Sequence, residues 1–449
     1  MTTLMRFRLN APVVLVIAAM LLAISAPVAL AGKASKNLKR GIAAGNKALV
    51  IKALEGLSAE NSEKAAKTIL GFALNVDALC KSFDPKEVNE IFDEAKTALA
   101  RMRNDKALRY VFKSLKSHKR YEVRVVVAEV CGVKDDPEAE TALVDALTDK
   151  HPIVAGVAAR ILGARAKWHD IGTGMDRLID LLEKVETHRR APWLDVIQAL
   201  VSLTGESMDV AADWRNWWNG VRDTFQPREA RRRKKDLSGT VLREAPKLFG
   251  QEILSKRVVF VLDVSGSMAL KDPVHEGRGK RPKAVHPEDA EYPNVPEERM
   301  RMYRLKHAMI EALKGLPNDT KLTILTFATG VNHWNQKLVT ATAKTKAEAI
   351  EFTKGMSPLG FTWTDAALEE AFKIPEANAF YLFSDGIPQR GKDANGGPDY
   401  IDREEILEKV RQWNRTRKVK LYTIGFGEAD ATFMMKLAQE NGGKFTAVR

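Results

Sequence analysis

Two patterns of apolar residues divide the chain. From about residue 36 to residue 225, apolar side chains recur at the spacing of amphipathic helices, with few β-branched runs. After Ser255 the pattern changes to short β-branched runs, such as "KRVVFVLDV", that alternate with helical segments. Continuous apolar strands alternating with helices are typical of a mostly parallel sheet covered on both faces. The patterns therefore predict a multidomain protein, with an all-α region followed by an α/β doubly wound, Rossmann-like domain.

Three stretches of the helical region are similar to one another: "FKSLKSHKRYEVRVVVAEVCG", "LVDALTDKHPIVAGVAARILG" and "LIDLLEKVETHRRAPWLDVIQALVSLTG". Each predicts an apolar helix, a polar break and a second apolar helix that ends at Gly132, Gly163 or Gly205. Glycine suits these places because it takes the left-handed conformation that often ends a helix. Helix pairs that repeat in this way bury their apolar faces against their neighbours.

This region resembles HEAT-like repeats. That family often places a Val-Arg pair at the start of the second helix, and Val123-Arg124 occupies the matching position. Ala155 breaks the pair in the next repeat, and Pro192 interrupts the third. The resemblance implies a helical scaffold that offers surfaces for protein contact, and the repeats before residue 105 have no clear phase.

The N terminus has the features of an export signal. Two arginines precede an apolar stretch from Ala11 to Ile24, and residues 29–31 read "ALA", a small-x-small cleavage pattern. We expect residues 1–31 to be a signal peptide and the mature protein to be periplasmic or secreted. An uncleaved membrane anchor is the alternative, because the apolar region extends over residues 11–31, roughly a bilayer span. Either reading places the bulk of the protein outside the cytoplasm.

The charge of the chain bears on its possible partners, and its cysteine content bears on possible disulfide bonds. The formal net charge is +13, but 58 acidic residues accompany 71 basic ones, so we expect no nucleic-acid partner. The run "REARRRKKD" marks a basic linker, residues 226–256, that is either a solvated hinge or a peripheral contact with an anionic envelope surface. Cys80 and Cys131 exclude a disulfide framework but permit one bridge, and their chain positions leave that pairing open.

Polar residues gather at the predicted strand ends of the second domain. They occur in "DVSGSM" after its first strand, in "GFTWTDAAL" before a helix, and in "SDGIP" after a later strand. In doubly wound sheets, ligands bind at the carboxyl ends of the strands where the strand order reverses. One shared site is therefore predicted from Asp263, Ser265, Ser267, Thr362 and Asp385.

A hard divalent cation fits these side chains. Mg²⁺ prefers six oxygen ligands in near-octahedral geometry and retains water readily. Neutral hydroxyl ligands leave much of its charge uncompensated, so a carboxylate from a partner can complete the shell. We expect Gly266 to turn the backbone sharply so that both neighbouring serines face one point. The alternative is that the serines cap the following helix while Asp263 accepts hydrogen bonds.

The five residues closely resemble the metal-ion-dependent adhesion site of the von Willebrand factor type A domain. The resemblance covers residues 257–449, after the helical region at 32–225. It implies that the three hydroxyls of Ser265, Ser267 and Thr362 ligate Mg²⁺, while the two aspartates hold coordinated waters or ligate it directly. It also implies a protein partner that offers an Asp or Glu carboxylate.

The chain departs from the compact family pattern in an insertion of about 28 residues, 270–297, between the motif and its following helix. Such a loop is either disordered or a binding loop beside the metal. Its basic "RGKRPK" complements an acidic ligand, which favours contact with a partner. Folding of the loop over the ion is the other possibility.

Taken together, these features predict an exported, non-enzymatic adaptor or adhesion-type protein with no catalytic residues. "GMSPLGFT" has Phe361 where a phosphate loop requires Lys, so we expect no nucleotide cofactor. One alternative is a metal-assisted hydrolase with His275 or His286 as the general base. Another is that the helical region binds the partner while the second domain is structural. The partner's identity and the oligomeric state stay open.

Overall fold

The computed structural model describes residues 32–186, 192–208, 210–227, 245–272, 297–427 and 429–448. The predicted signal peptide, most of the predicted basic linker and most of the predicted insertion lie outside these ranges. Within them, no helix combines the length and the apolar character needed to cross a membrane. The chain divides into two units, Met1–Ala146 and Leu147–Arg449.

The first unit is helical in its described part. Side chains of Asn, Ser or Asp accept hydrogen bonds from the first turn of six of its described helices, which satisfies backbone N–H groups that have no partner inside the helix. The helices are residues 32–43 (α1), Lys47–Glu60 (α2), Glu63–Thr68 (α3), Val76–Leu79 (α4), Pro85–Arg101 (α5), Asp105–Ser117 (α6), Tyr121–Gly132 (α7) and Pro137–Ala146 (α8), with a π-helical turn at Ile69–Ala73.

A buried arginine fixes the turn between α6 and α7. Arg124 is 1% exposed and donates hydrogen bonds to the carbonyl oxygens of His118, at 2.8 Å, and Lys119, at 3.3 Å. The arginine of the predicted Val-Arg pair therefore holds the polar break between the two helices. Of the two cysteines, Cys131 is buried in α7 and Cys80 is exposed.

The second unit begins with four helices. Of the three glycines predicted to end helices by a left-handed turn, Gly205 does so, with φ 82°. Gly132 and Gly163 do not take positive φ, and that expectation was wrong for them. Gly163 has a different role, because a Cβ there would lie 2.5 Å from the Cα of Ala199 in a neighbouring helix. The four helices are Pro152–Ala164 (α9), Ile171–Glu186 (α10), Trp193–Thr204 (α11) and Ala211–Val221 (α12).

A mostly parallel sheet follows, flanked by five helices. Within the described ranges it has seven strands, in the order β11-β10-β7-β3-β4-β5, with β6 also paired to β4. Two short hairpins, β1–β2 and β8–β9, lie outside this sheet. The described strands of the domain are Lys247–Leu248 (β1), Gln251–Glu252 (β2), Arg257–Asp263 (β3), Lys321–Ala328 (β4), Gly330–His333 (β5), Val339–Thr340 (β6), Ala379–Ser384 (β7), Gln389–Lys392 (β8), Pro398–Tyr400 (β9), Lys420–Phe426 (β10) and Phe445–Val448 (β11). The helices are Arg301–Gly315 (α13), Ala343–Lys354 (α14), Thr364–Phe372 (α15), Arg403–Asn414 (α16) and Ala431–Glu440 (α17), and short 3₁₀ turns occur at Gly266–Ala269 and Glu297–Arg299.

The sheet is buried on both faces, as its continuous apolar strands predict. Strand β3 shows this directly, because alternate side chains point to opposite faces. Val258, Phe260 and Leu262 belong to one core, which includes α13. Val259 and Val261 belong to the other, which includes α15, α16 and α17. The fold is therefore a helical region followed by an α/β doubly wound domain.

Two features of the domain were not predicted from the sequence. The sheet is not wholly parallel, because β5 and β6 both pair antiparallel with β4, and the chain reverses between β4 and β5 at Thr329. The hairpin β1–β2 lies inside the predicted linker, yet Leu248 and Ile253 are buried in the core beside α13. The folded domain therefore starts before residue 257, because these apolar side chains cover one face of the sheet.

An ion pair connects α11 to the first residue of β10. The Lys420 ammonium lies 3.2 Å from Asp195 Oδ1, and burial lowers the pKa of this lysine. Arg160 of α9 lies 3.4 Å from the same oxygen atom. A single carboxylate thus joins two helices to the amino end of a central strand.

Candidate metal centre

The predicted site lies where the strand order reverses. The chain runs from β3 outward to β4 and β5, then returns to β7 on the other side of β3 and continues to β10 and β11. Asp263 is the last residue of β3 and Asp385 follows the last residue of β7. Because β3 and β7 are parallel neighbours, their carboxyl ends place both aspartates at one edge of the sheet.

Asp263 is held by neutral donors in the described part of the chain. Its side chain is fully buried, and Oδ1 accepts a hydrogen bond from the Ser265 N–H at 2.8 Å. Oδ2 accepts a hydrogen bond from the Ser384 hydroxyl at 2.6 Å. Ser384 was missed from the sequence, where it is only the last residue of an apolar strand. These bonds fix the direction in which the carboxylate faces.

The two serines of the motif face each other and Asp385. Ser265 Oγ lies 3.1 Å from Ser267 Oγ, and Ser267 donates a hydrogen bond to Asp385 Oδ1 at 2.7 Å. Ser265 occupies the cap position of the following 3₁₀ turn but makes no side-chain capping bond, so only the other part of the capping alternative, hydrogen bonds to Asp263, is seen. Gly266 does not take positive φ; its N–H donates to the Gly360 carbonyl at 3.0 Å. That bond, not a glycine-specific turn, holds the motif beside the next loop.

Thr362, in the loop before α15, lies beside the serine and aspartate cluster. Its backbone exchanges hydrogen bonds of 3.1 and 2.9 Å with Gln389, which anchors the loop to β8. A Cβ built on Gly386 would lie 3.3 Å from Thr362 Oγ1 and 3.6 Å from Ser267 Oγ. The two hydroxyls therefore lie on one side of Gly386. All five residues predicted for the site come together in the structure.

Arg301 is a member of this cluster that sequence reasoning missed. It is 2% exposed, and its Nη1 donates to Asp385 Oδ2 at 2.7 Å. Its Nε donates to Asp272 Oδ1 at 2.9 Å, and Arg304 contacts the other oxygen of Asp272 at 3.1 Å. The available signal was its place on α13, four residues before the fully buried Leu305, where a charge lies on the apolar face of a helix.

Gly427 makes room for the guanidinium. This glycine follows β10 and has φ +52°, and a Cβ there would collide with Arg301. The left-handed φ and the close contact with Arg301 together account for glycine at position 427.

Burial raises the pKa values of both aspartates of the site. Burial, and next the charge of Asp385, raise the pKa of Asp263 to about 7. Burial also raises the pKa of Asp385, although Arg301 opposes this. The pKa of Arg301 is raised because the charges of Asp385 and Asp272 outweigh burial, which lowers it. A cation beside Asp263 would restore its charged form.

The donor set fits Mg²⁺, the expected ion. Its side chains are three hydroxyls and two carboxylates, all oxygen donors, which a hard cation prefers. The described ranges, this cluster included, contain no group of three or more His, Cys, Asp or Glu side chains placed to hold a metal ion, so the candidate centre depends on its hydroxyls. His275 and His286, the predicted bases of the hydrolase alternative, lie outside the described residues.

The predicted insertion starts and ends beside this cluster. Asp272 N–H donates to the Arg299 carbonyl at 3.0 Å, and Arg301 N–H donates to the Leu270 carbonyl at 3.0 Å. Residues 273–296 lie outside the described part of the chain. Both described ends of the insertion are thus fixed next to the arginine that contacts Asp385.

The fold and the site define a doubly wound α/β domain with a hydroxyl and carboxylate cluster at its switch point. Residues 297–446 match the family model described as the von Willebrand factor type A domain, and this part of the chain is such a domain. The match begins after the Asp-x-Ser-x-Ser motif, whose residues the topology brings into the same domain. The predicted family resemblance is confirmed.

Relatives of this domain occur in larger proteins. Inter-alpha-trypsin inhibitor heavy chain H3 of Mesocricetus auratus is 29% identical over 209 residues, 43% of this chain and 19% of that protein. Heavy chain H1 of Homo sapiens is 27% identical over 204 residues, 42% of this chain and 18% of that protein. The chain thus spans about a fifth of the length of these curated relatives.

Parts of two solved structures are similar to part of this chain. The von Willebrand factor type A structure from Catenulispora acidiphila has a TM-score of 0.31 and 19% identity, covering 43% of this chain and 38% of that one. The PilB minor pilin from Streptococcus sanguinis has a TM-score of 0.30 and 15% identity, covering 44% of this chain and 58% of that one.

Proposed function

We propose that the protein is a non-enzymatic adaptor or adhesion-type protein that binds an Asp or Glu carboxylate of a protein partner through Mg²⁺. The observation that carries this proposal is the convergence of three hydroxyls and two buried carboxylates at the switch point of the sheet. The type A domain and the similarity to inter-alpha-trypsin inhibitor heavy chains support a role in protein interaction. Export to the periplasm or the extracellular space belongs to the same proposal.

Each residue of the centre has a distinct task in this proposal. The hydroxyls of Ser265, Ser267 and Thr362 would ligate the ion, and Asp263 and Asp385 would hold its waters or ligate it directly. A bound Mg²⁺ supplies an electrophilic position that an incoming carboxylate occupies. The chain itself orients Asp263 and Asp385 through hydrogen bonds before any ion arrives. Neutral ligands leave the ion with charge for the partner to neutralise.

The helical region supplies a second surface for protein contact in this proposal. It presents repeated helix pairs, such as α6 with α7 and α10 with α11, which pack against each other. Repeat arrays of this type use their extended faces for binding. No observation in the described residues favours the hydrolase alternative. Its predicted bases, His275 and His286, lie outside those residues.

The proposal is tested with the full chain and arrayed peptides that contain Asp or Glu, each beside a matched peptide with Asn or Gln. In Mg²⁺ we expect binding to the carboxylate peptides only, and in EDTA we expect none. Asp263→Ala should abolish this binding. Asp319→Ala is the matched control, because Asp319 contacts Lys256 away from the site and precedes β4.

Equal binding in Mg²⁺ and EDTA would contradict the proposal, as would normal binding by Asp263→Ala. Either result would favour the alternative in which the helical region binds the partner and the type A domain is structural.

A further inference from the structure

Arg301 places a fixed positive charge inside the candidate metal centre. Its side chain is 3% exposed, and its two ion-pair partners are the buried side chains of Asp385 and Asp272. Burying a guanidinium is costly unless it is paired and hydrogen-bonded. Gly427 opens the space that the guanidinium fills. The arrangement therefore belongs to the folded domain and is not a surface contact.

Arg301 contacts one of the two carboxylate oxygens of Asp385. Oδ1 of this carboxylate accepts from Ser267, and Oδ2 accepts from Arg301. Much of the negative charge of Asp385 is thus neutralised before an ion binds. Asp272 also faces two arginines, Arg301 and Arg304. Among the described residues of the cluster, Asp263 is the carboxylate without an arginine contact.

We propose that Arg301 is an internal counter-ion that lowers the affinity of the centre for its divalent cation. The bound ion then keeps surplus positive charge, so tight metal binding requires the carboxylate of the partner. Metal and partner would therefore bind with positive coupling, each raising the affinity for the other. This inference rests on the proposed function and names what makes that site depend on its partner.

The sign of the effect separates this role from a purely structural one. If Arg301 only oriented Asp385, removing it would weaken metal binding by about 10–100-fold, as for other residues that position metal ligands. If its charge repels the ion, removing that charge strengthens metal binding, because like charges repel more in a buried site than in water.

The test is calorimetric titration of the full chain with MgCl₂. We expect Arg301→Gln to bind the ion about tenfold more tightly than the unaltered chain, since a repulsive charge is gone. Arg301→Lys keeps the charge and should stay close to the unaltered chain. Arg304→Gln is the matched control, because Arg304 contacts Asp272 but not Asp385, and its effect should be smaller. Added acetate, a carboxylate probe, should tighten metal binding more in the unaltered chain than in Arg301→Gln.

Equal or weaker Mg²⁺ affinity in Arg301→Gln would overturn the inference. If the unaltered chain binds Mg²⁺, Ser267→Ala abolishes this binding and Arg301→Gln does not tighten it, the inference fails while the proposed function stands. If neither chain binds the ion, both fail. Circular dichroism without metal checks folding.

Should Arg301→Gln not fold, Asp272→Asn replaces it. That variant removes negative charge beside Arg301 and should weaken Mg²⁺ binding, and unchanged or tighter binding would overturn the inference.

Discussion

Arg124 in the first unit and Arg301 in the type A domain are both almost inaccessible to solvent. Arg124 donates to backbone carbonyls of its own turn, five and six residues away. Arg301 donates to two carboxylates, of which Asp385 is 84 residues distant along the chain. These bonds of Arg124 are to neutral dipoles, whereas those of Arg301 are to ionisable groups. The Arg301 arrangement therefore responds to protons and cations.

The largest expected effect is a pH dependence of the stability of the sheet edge that carries Asp263. Burial raises the pKa of Asp263 from 3.8 to about 7, so the folded state favours the protonated carboxyl. The stabilisation is fully present below pH 3.8 and is lost as the pH rises through 7. The total is on the order of 4 kcal/mol at 1.36 kcal/mol per pKa unit. Hydrogen exchange of β3 amides in EDTA, corrected for intrinsic rates, measures this loss.

Asp263→Asn is the comparison for this measurement, because it keeps the shape of the side chain and removes its titration. The variant should lose the dependence on pH in this window. The same slope in both chains would show that another group is responsible.

The next largest expected effect is a loss of stability around Arg124 in the helical first unit. Arg124→Met removes the guanidinium that donates to the carbonyls of His118 and Lys119, and hydrogen bonds of a charged group contribute about 1.5–3 kcal/mol. We expect α6 and α7 to lose roughly 3 kcal/mol of protection, measured by hydrogen exchange of their amides. Affinity for Mg²⁺ should not change. A change in metal affinity would contradict the separation between the two arginines.

Gly427→Ala tests the space around Arg301. The new Cβ would collide with the guanidinium, and φ is +52° at this position. Gly442→Ala is the matched control, with φ +66° and open space around its Cβ. We expect the control to lose about 1 kcal/mol through left-handed strain. Gly427→Ala should lose roughly 2 kcal/mol more through the disturbed ion pair, measured by urea unfolding. Equal losses would show that Arg301 moves aside freely.

The smallest effect is a pH response of the opposite sign near Arg124. Burial lowers the pKa of His118, whose Nδ1 accepts from the Arg120 N–H at 3.2 Å. Its contribution is present above pH 6.5 and is lost as the pH falls. Because the ring is partly exposed, we expect well under 1 kcal/mol. Exchange of α7 amides between pH 7.5 and 5.5 measures it, and His118→Gln should remove it.

The sequence predicts local arrangements better than contacts between distant segments. The order of strands and helices follows from apolar spacing. The strand-end rule places Asp263 and Asp385 at one edge, and the resemblance to the type A domain supplies the set of five residues. Arg301 was not predicted as a site residue, because its partners Asp272 and Asp385 come close to it only in the folded chain. Gly163 was misread for a similar reason, since its role depends on Ala199 in another helix. The metal, the export signal and the partner stay predictions.

Strand β10 links two features that lie at its opposite ends. Lys420 at its start is paired with Asp195 of α11, and Gly427 just beyond its end accommodates Arg301. The strand is paired in parallel with β7 over residues 420–425 and with β11 over residues 423–426. A pull between α11 and the metal centre would act along the strand, perpendicular to these hydrogen bonds. The hydrogen bonds would then be loaded together in shear, instead of breaking one after another.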